Sequence, residues 1–430
     1  MFLDVPASVP HHGKRQMMNL RFSHVAAGIL YVCVAGVAFV RTGHAADFTS
    51  TARVSTQGSY ETNPELAQSN KTHVAEKQLA PGWSGALDGE TYGLDFDLGA
   101  TFVRSSDETI TPDSLRYDTT LAGDVDFDLV RLSGSVDYFR RAFDNTEFND
   151  NELVTDADTA SVSNNVTVDD ITLSSRLEHD WSDRTTLFLE DSLRSVAFTG
   201  GDSTDFTNST VAVGGNYAWS GKLTLTPEIQ VRRFEPVDVA PTNVVEANMG
   251  VNYQASDTSL YNVTVGMLKT SEQNSVTFDA TYEKTFETFV FQLTGNREVS
   301  PSDNGELRDS KSVGVDISHD VSDYTRIGLV GLWRSNEALE ARRWGFNMSH
   351  DFSADVVLGL NLDVVQSITG SAAGETTTMQ YRADPFVNWT VVENLNARLS
   401  YRELWQDADN SGSVNTRRVT LAVTYTHPFN

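Results

Sequence analysis

The chain has 430 residues, with 32 Lys and Arg against 59 Asp and Glu and a formal net charge of −27. So acidic a balance excludes nucleic-acid binding through a basic surface. A single cysteine excludes a disulfide framework and any thiolate metal centre.

The first element in chain order is a secretion signal. Lys14, Arg15 and Arg21 precede an apolar run from Val25 to Val40, and Gly43-His44-Ala45 supplies the small residues that a signal peptidase reads. Residues 1–45 are expected to be removed, with cleavage after Ala45 or Ala46; a start at Met17 or Met18 gives a more usual signal length. Cys33 follows Val32 inside the apolar run, which is not a lipoprotein arrangement. Lys14, Arg15, Arg21, Arg41 and Asp4 leave with this segment, so 28 basic and 58 acidic residues remain.

Residues 46–430 read as one unit without a Pro/Gly-rich linker. No further apolar run is long enough for a transmembrane helix. What recurs instead is a period of two, the strand signal. Tyr92, Leu94, Phe96, Leu98, Ala100 and Phe102 alternate with Gly93, Asp95, Asp97, Gly99 and Thr101; Leu358 to Val364 and Leu395 to Tyr401 do the same. Tight connections fall near Asp88-Gly89, Leu129-Val130, Ser182-Asp183, Ser220-Gly221, Ser256-Asp257, Phe286-Glu287, Ser322-Asp323, Ser353-Ala354 and Glu393-Asn394. Longer polar segments lie between them, centred near Pro64, Thr109, Asp150, Asp202, Val239, Gln273, Asn304, Ala338, Ala372 and Asn410. A short, long, short, long rhythm is that of an outer-membrane barrel. The fold expected is therefore all-β: a transmembrane antiparallel up-and-down β-barrel of about 20 strands, 18 being the alternative count, with both termini periplasmic.

The polar parity names the lumen candidates: Asp95, Asp97, Asp118, Asp124, Asp126, Arg131, Asp137, Arg176, Glu178, Glu190, Arg194, Glu228, Arg232, Asp363, Arg398 and Arg402. Their structural reading is charge pairing that stiffens a wet wall; their functional reading is a field that selects what passes. The loop from Asp144 to Asn164 carries Asp144, Glu147, Asp150, Glu152, Asp156 and Asp158 with no basic residue. It is either a solvated surface loop that shares divalent cations with lipopolysaccharide or a constriction loop folded into the lumen.

A repeated tetrad runs into three of the short turns: Glu178-His179-Asp180-Trp181, Ser318-His319-Asp320-Val321 and Ser349-His350-Asp351-Phe352, with Thr426-His427-Pro428-Phe429 as a degenerate copy. The His-Asp pairs suggest a metal or acid/base site. Parity, however, puts the imidazoles with the apolar side chains, so His179, Trp181, Trp219, His319, His350, Trp389, His427 and Phe429 are expected to form a girdle at the periplasmic headgroup level. His73 has no serine nucleophile motif near it, and the reading is a protein without catalytic residues, metal or other cofactor. Asp407-Ala408-Asp409-Asn410-Ser411-Gly412 starts like a calcium loop, but Arg418 stands where the closing Glu is needed.

Tyr60-Glu61-Thr62-Asn63-Pro64, followed by Leu79-Ala80-Pro81-Gly82 and a run of paired amphipathic strands, resembles the porin-like outer-membrane β-barrel family associated with exopolysaccharide export. The resemblance implies an exit channel for polysaccharide that works with periplasmic and inner-membrane partners. An aromatic next to the C-terminus, Phe429, resembles an outer-membrane assembly signal. A general diffusion porin for small solutes and a sealed structural barrel are the alternatives. A soluble secreted β protein is the fourth reading, and would bury the apolar parity.

Overall fold

The computed structural model describes residues 47–63, 72–108, 113–143, 166–200, 204–237, 239–270, 274–301, 307–336, 339–371, 374–409 and 412–429. The signal segment 1–45 lies outside these residues, as do Asp144, Glu147, Asp150, Glu152, Asp156 and Asp158 of the acidic loop.

Twenty strands follow in order. The first five are β1 (Asp47–Thr62), β2 (His73–Asp88), β3 (Tyr92–Ser105), β4 (Ser114–Asp126) and β5 (Val130–Phe143). Next come β6 (Val166–Ser182), β7 (Thr185–Thr199), β8 (Phe206–Ser220), β9 (Leu223–Pro236) and β10 (Thr242–Ser256). They are followed by β11 (Ser259–Lys269), β12 (Asn274–Thr285), β13 (Phe289–Pro301), β14 (Leu307–Ser322) and β15 (Thr325–Ser335). The last are β16 (Leu339–Ser353), β17 (Val356–Ser371), β18 (Gly374–Val392), β19 (Leu395–Ala408) and β20 (Gly412–Phe429).

Each strand pairs antiparallel with its neighbours in sequence, and β20 returns to pair with β1, from Ser50↔Phe429 to Thr62↔Arg417. The sheet therefore closes into an up-and-down barrel with no edge strand, the one β arrangement that pairs every backbone group of a spanning segment. At 11 to 19 residues, the strands reach or exceed the roughly ten that a tilted crossing needs.

Directly opposed residues share a face, so the register carries parity round the barrel. One face bears Phe102, Val213, Ile229, Val265, Trp344, Leu399 and Leu421, all exposed. The other bears most of the charge. Arg232 in β9 identifies this second face as the interior, because its guanidinium donates to the Val299 carbonyl of β13 at 2.8 Å, a bond that passes over the three strands between them.

The nine tight connections lie at one end, with Asp47 and Phe429, and the long connections at the other. Five tight turns repeat one device. The hydroxyls of Ser182, Ser220, Ser256, Ser322 and Ser353 each accept the backbone N–H two residues on, at 3.2–3.3 Å. Serine does this readily in turns. Just before each of these serines the ladder slips by one residue, a β-bulge. Trp181, Trp219 and Phe352 are bulged residues of this kind, and all three are exposed. The repeated tetrad is therefore part of a turn motif that ends in serine.

Candidate functional site: the lumen wall

All the lumen candidates named by parity lie on the interior face: Asp95 and Asp97 in β3; Asp118, Asp124 and Asp126 in β4; Arg131 and Asp137 in β5; Arg176 and Glu178 in β6; Glu190 and Arg194 in β7; Glu228 and Arg232 in β9; Asp363 in β17; Arg398 and Arg402 in β19. What parity does not reveal is that they form two environments.

Toward the short-turn end the wall is wet. Arg131 holds Asp126 at 3.2 Å with the two side chains 56% and 41% exposed. Arg176 bridges Glu178 at 2.8 Å and Glu190 at 2.9 Å. Asp95, Asp97 and Asp124 are exposed, and Asp137 accepts from the Thr120 and Ser135 hydroxyls. Carboxylates outnumber guanidinium groups from β3 to β6. Asp126, Asp128, Arg131, Glu178 and Asp180 line a hollow of about 270 Å³ there.

Toward the long-loop end the same face is dry. Val168, Val196, Phe206 and Phe234 of β6 to β9 pack into one cluster, each 1–2% exposed. Phe206 and Phe234 lie 5.4 Å apart. Val244, Leu268 and Val299 form a second, with the end of β13 brought against β10 and β11. Ion pairs at this level are buried as well. Arg194 meets Asp170 at 2.7 Å, with the Asp170 side chain 2% exposed. Between β16 and β1 buried pairs reach down to mid-strand and follow one another round the wall. Arg343 and Arg382 share Asp363, the first at 2.7 Å; Arg402 meets Asp384 at 3.2 Å; Arg418 donates to Glu61 at 2.7 Å. Asp363 and Glu61 are 6% and 8% exposed. A wall residue beside an open channel keeps one side in water; the clustered Val168, Val196, Phe206 and Phe234 do not.

Two lumen arginines sit over phenylalanine rings, Arg176 over Phe188 at 4.3 Å and Arg398 over Phe386 at 4.0 Å. Each ring covers the glycine opposite it, Gly214 and Gly359, where a Cβ would collide with the ring. Glycine is thus required under both stacks, and each stack fixes a guanidinium in the wall.

Asp170, Arg343, Arg382, Asp384, Arg418 and Glu61 were not among the sequence candidates. Parity was the signal that would have found them: Arg382 and Asp384 alternate with Tyr381, Ala383 and Pro385, and Arg343 with Arg342 and Trp344. Glu61 and Asn63 belong to the stretch that carried the family resemblance. Asn63, at φ 56°, donates its side-chain amide to Asn415 O at 2.9 Å and its backbone N–H to Thr72 O at 2.7 Å. Thr416 donates to Glu61 at 3.0 Å. This stretch clasps the seam between β1 and β20.

On the outer face, His179, Trp181, Trp219, His319, His350, Trp389, His427 and Phe429 all lie at the short-turn end. His319 Nδ1 is 2.8 Å from Thr288 O, His350 Nδ1 is 2.8 Å from the Thr325 hydroxyl, and His427 stacks edge-on to Phe429 at 4.7 Å. At the other end, ion pairs form a collar: Arg140–Asp169 at 3.7 Å, Arg297–Asp309 at 2.8 Å, Arg342–Glu340 at 2.6 Å and Arg417–Glu403 at 2.8 Å. Trp333 and Tyr401 donate to Glu340 and Glu403, both at 3.1 Å. Between girdle and collar the outer face is an apolar band.

No protein-family model matches the sequence, and no curated protein matches it. Solved structures do match in fold. A point mutant of the ferric enterobactin receptor PfeA of Pseudomonas aeruginosa, in complex with enterobactin, superposes with a TM-score of 0.51 at 9% identity, over 88% of this chain and 81% of that one. A double mutant of the same receptor gives 0.50 at 9% identity, over 88% and 80%. OpdQ of the same organism gives 0.44 at 10% identity, over 89% and 100%. At this identity the receptors share the barrel fold with this chain and nothing more specific.

Proposed function

We propose that the chain is an outer-membrane pore for small hydrated solutes, with its short turns and both chain ends on the periplasmic side. The observation that carries this reading is the division of one closed sheet into an apolar outer band and a charged inner wall. That is the division a barrel needs when lipid lies outside and water inside. The collar and the girdle would then sit at the two interfaces. The excess of carboxylates on β3 to β6 favours cations at the periplasmic mouth, and the dry layer at the other end limits the size of what passes.

The narrower reading, an exit channel for exopolysaccharide with periplasmic partners, draws its support from the N-terminal resemblance. It calls for a continuous basic track along the wall. Instead Arg131, Arg176, Arg194 and Arg402 are each bound to carboxylates, and Arg398 lies on Phe386. Small solutes therefore remain the preferred cargo. Single-channel recording of the refolded protein in a planar bilayer tests the proposal. Discrete conductance steps with a cation-selective reversal potential are expected; a bilayer that stays silent would favour a sealed structural barrel.

A further inference from the structure

β12 and β13 pair only from Thr285↔Val290 to Phe278↔Arg297, although both strands continue toward the long-loop end, β12 through Thr277 to Asn274 and β13 through Glu298 to Pro301. The end of β12 stays on the wall against β11, from Gly266↔Thr277 to Lys269↔Asn274. The end of β13 leaves it together with the start of β14, from Glu298↔Ser310 to Pro301↔Leu307. Val299 shows where this hairpin end goes. It shares parity with Leu293 and Arg297, which face outward, yet it is 3% exposed and packs on Val244 and Leu268, which face the lumen. The outer face of the hairpin end therefore lies on the inner face of β10 and β11. The Arg232 guanidinium holds it there through the Val299 carbonyl, at 2.8 Å. Where the hairpin leaves the wall, Arg297 grips Asp309 through two bonds, at 3.2 and 2.8 Å. The neighbouring wall residues Glu246 and Thr277 are each 8% exposed.

The same sequence fits a second position. Continued past Phe278↔Arg297, the register sets Thr277 opposite Glu298 and Val276 opposite Val299. Val276 is 49% exposed on the outer face, so Val299 would lie beside it there, and the edge of β12 that has no β13 partner would be paired. A segment with two packings of this kind is a switching element. We propose that the end of the β13–β14 hairpin sets the width of the pore: folded in, as here, it narrows the long-loop end, and zipped onto β12 it clears that end. Arg232 and the contact of Val299 with Val244 and Leu268 are the catch for the first position. The inference rests on the reading of the chain as a pore.

The test uses the full chain with its only cysteine removed, Cys33→Ser, refolded into planar bilayers. One variant adds Leu268→Cys and Val299→Cys, so that a disulfide fixes the folded-in position. A second adds Val276→Cys and Val299→Cys, so that a disulfide fixes the hairpin on β12. Both disulfides are expected to form on oxidation, read as a mobility shift of the folded barrel on gels. The β12-linked form should conduct more than the folded-in form by a factor on the order of two, and reduction should bring the two together. Arg232→Ala, without added cysteines, should shift dwell time toward the larger of the two levels. Failure of either disulfide to form, or equal conductance of the two locked forms, overturns the proposal alone. A bilayer that stays silent for every variant removes the pore reading and the proposal with it.

Discussion

The two ends of the lumen are lined by the same strands and obey the same parity, yet one is wet and the other dry. At the short-turn end Asp126 and Arg131 pair in water; at the long-loop end Asp170, almost out of it, pairs with Arg194. The difference shows that what packs over a lumen charge, and not the residue type, sets what it contributes. Surface-like pairs are worth about 0–1 kcal/mol, whereas removing one partner of a buried pair costs about 3–5 kcal/mol.

Mutations placed on the two sides of that boundary test it. The largest effect is expected from Phe206→Ala, which empties the cluster it shares with Phe234, Val168 and Val196. It should cost about 3–5 kcal/mol in denaturant unfolding and raise the single-channel conductance. If conductance and midpoint both stay unchanged, the long-loop end is not packed as described. Next, Asp363→Ala leaves Arg343 and Arg382 without their shared carboxylate and should cost about 3 kcal/mol. Asp126→Ala, whose carboxylate is 41% exposed and 3.2 Å from Arg131 beside the short turn, should cost less than about 1 kcal/mol. Equal costs for the two would erase the contrast.

Selectivity should run the other way. Asp95→Asn combined with Asp97→Asn is expected to lower the cation-to-anion permeability ratio on the order of twofold, read from the reversal potential in a salt gradient. The smallest effect is expected from Ser322→Ala, which deletes one turn hydrogen bond at the exposed rim: less than about 0.5 kcal/mol by the same unfolding assay, with conductance unchanged.

The fold was legible because an amphipathic barrel writes itself twice, in a period of two along each strand and in the alternation of short and long connections. The nine tight connections anticipated from turn residues coincide with the nine in the structure, and the count of 20 strands holds. The lumen was legible only as a list. Which charge meets which depends on register, and register brings together residues as distant as Glu61 and Arg418, 357 positions apart. Burial was less legible still, since Asp97 and Asp363 occupy equivalent places in an alternating pattern and differ only in what packs over them. The serine turns were visible as a repeat, but a repeat of His and Asp draws attention to chemistry. The part that matters mechanically is the serine and the bulge before it.

The clasp at the seam has a consequence for assembly. Asn63, Glu61 and Thr62 hold Asn415, Thr416 and Arg418, so the free edge of the strand made first is secured by the strand made last. Nineteen hairpin contacts can form locally as the chain emerges, but the twentieth closes a loop of the whole sequence and carries nearly all of its entropic cost. Until it forms, β1 and β20 are two open edges able to recruit foreign strands. Loss of the Asn63 amide or the Arg418 guanidinium would therefore register first as slow closure and aggregation during biogenesis, in barrels that are sound once shut.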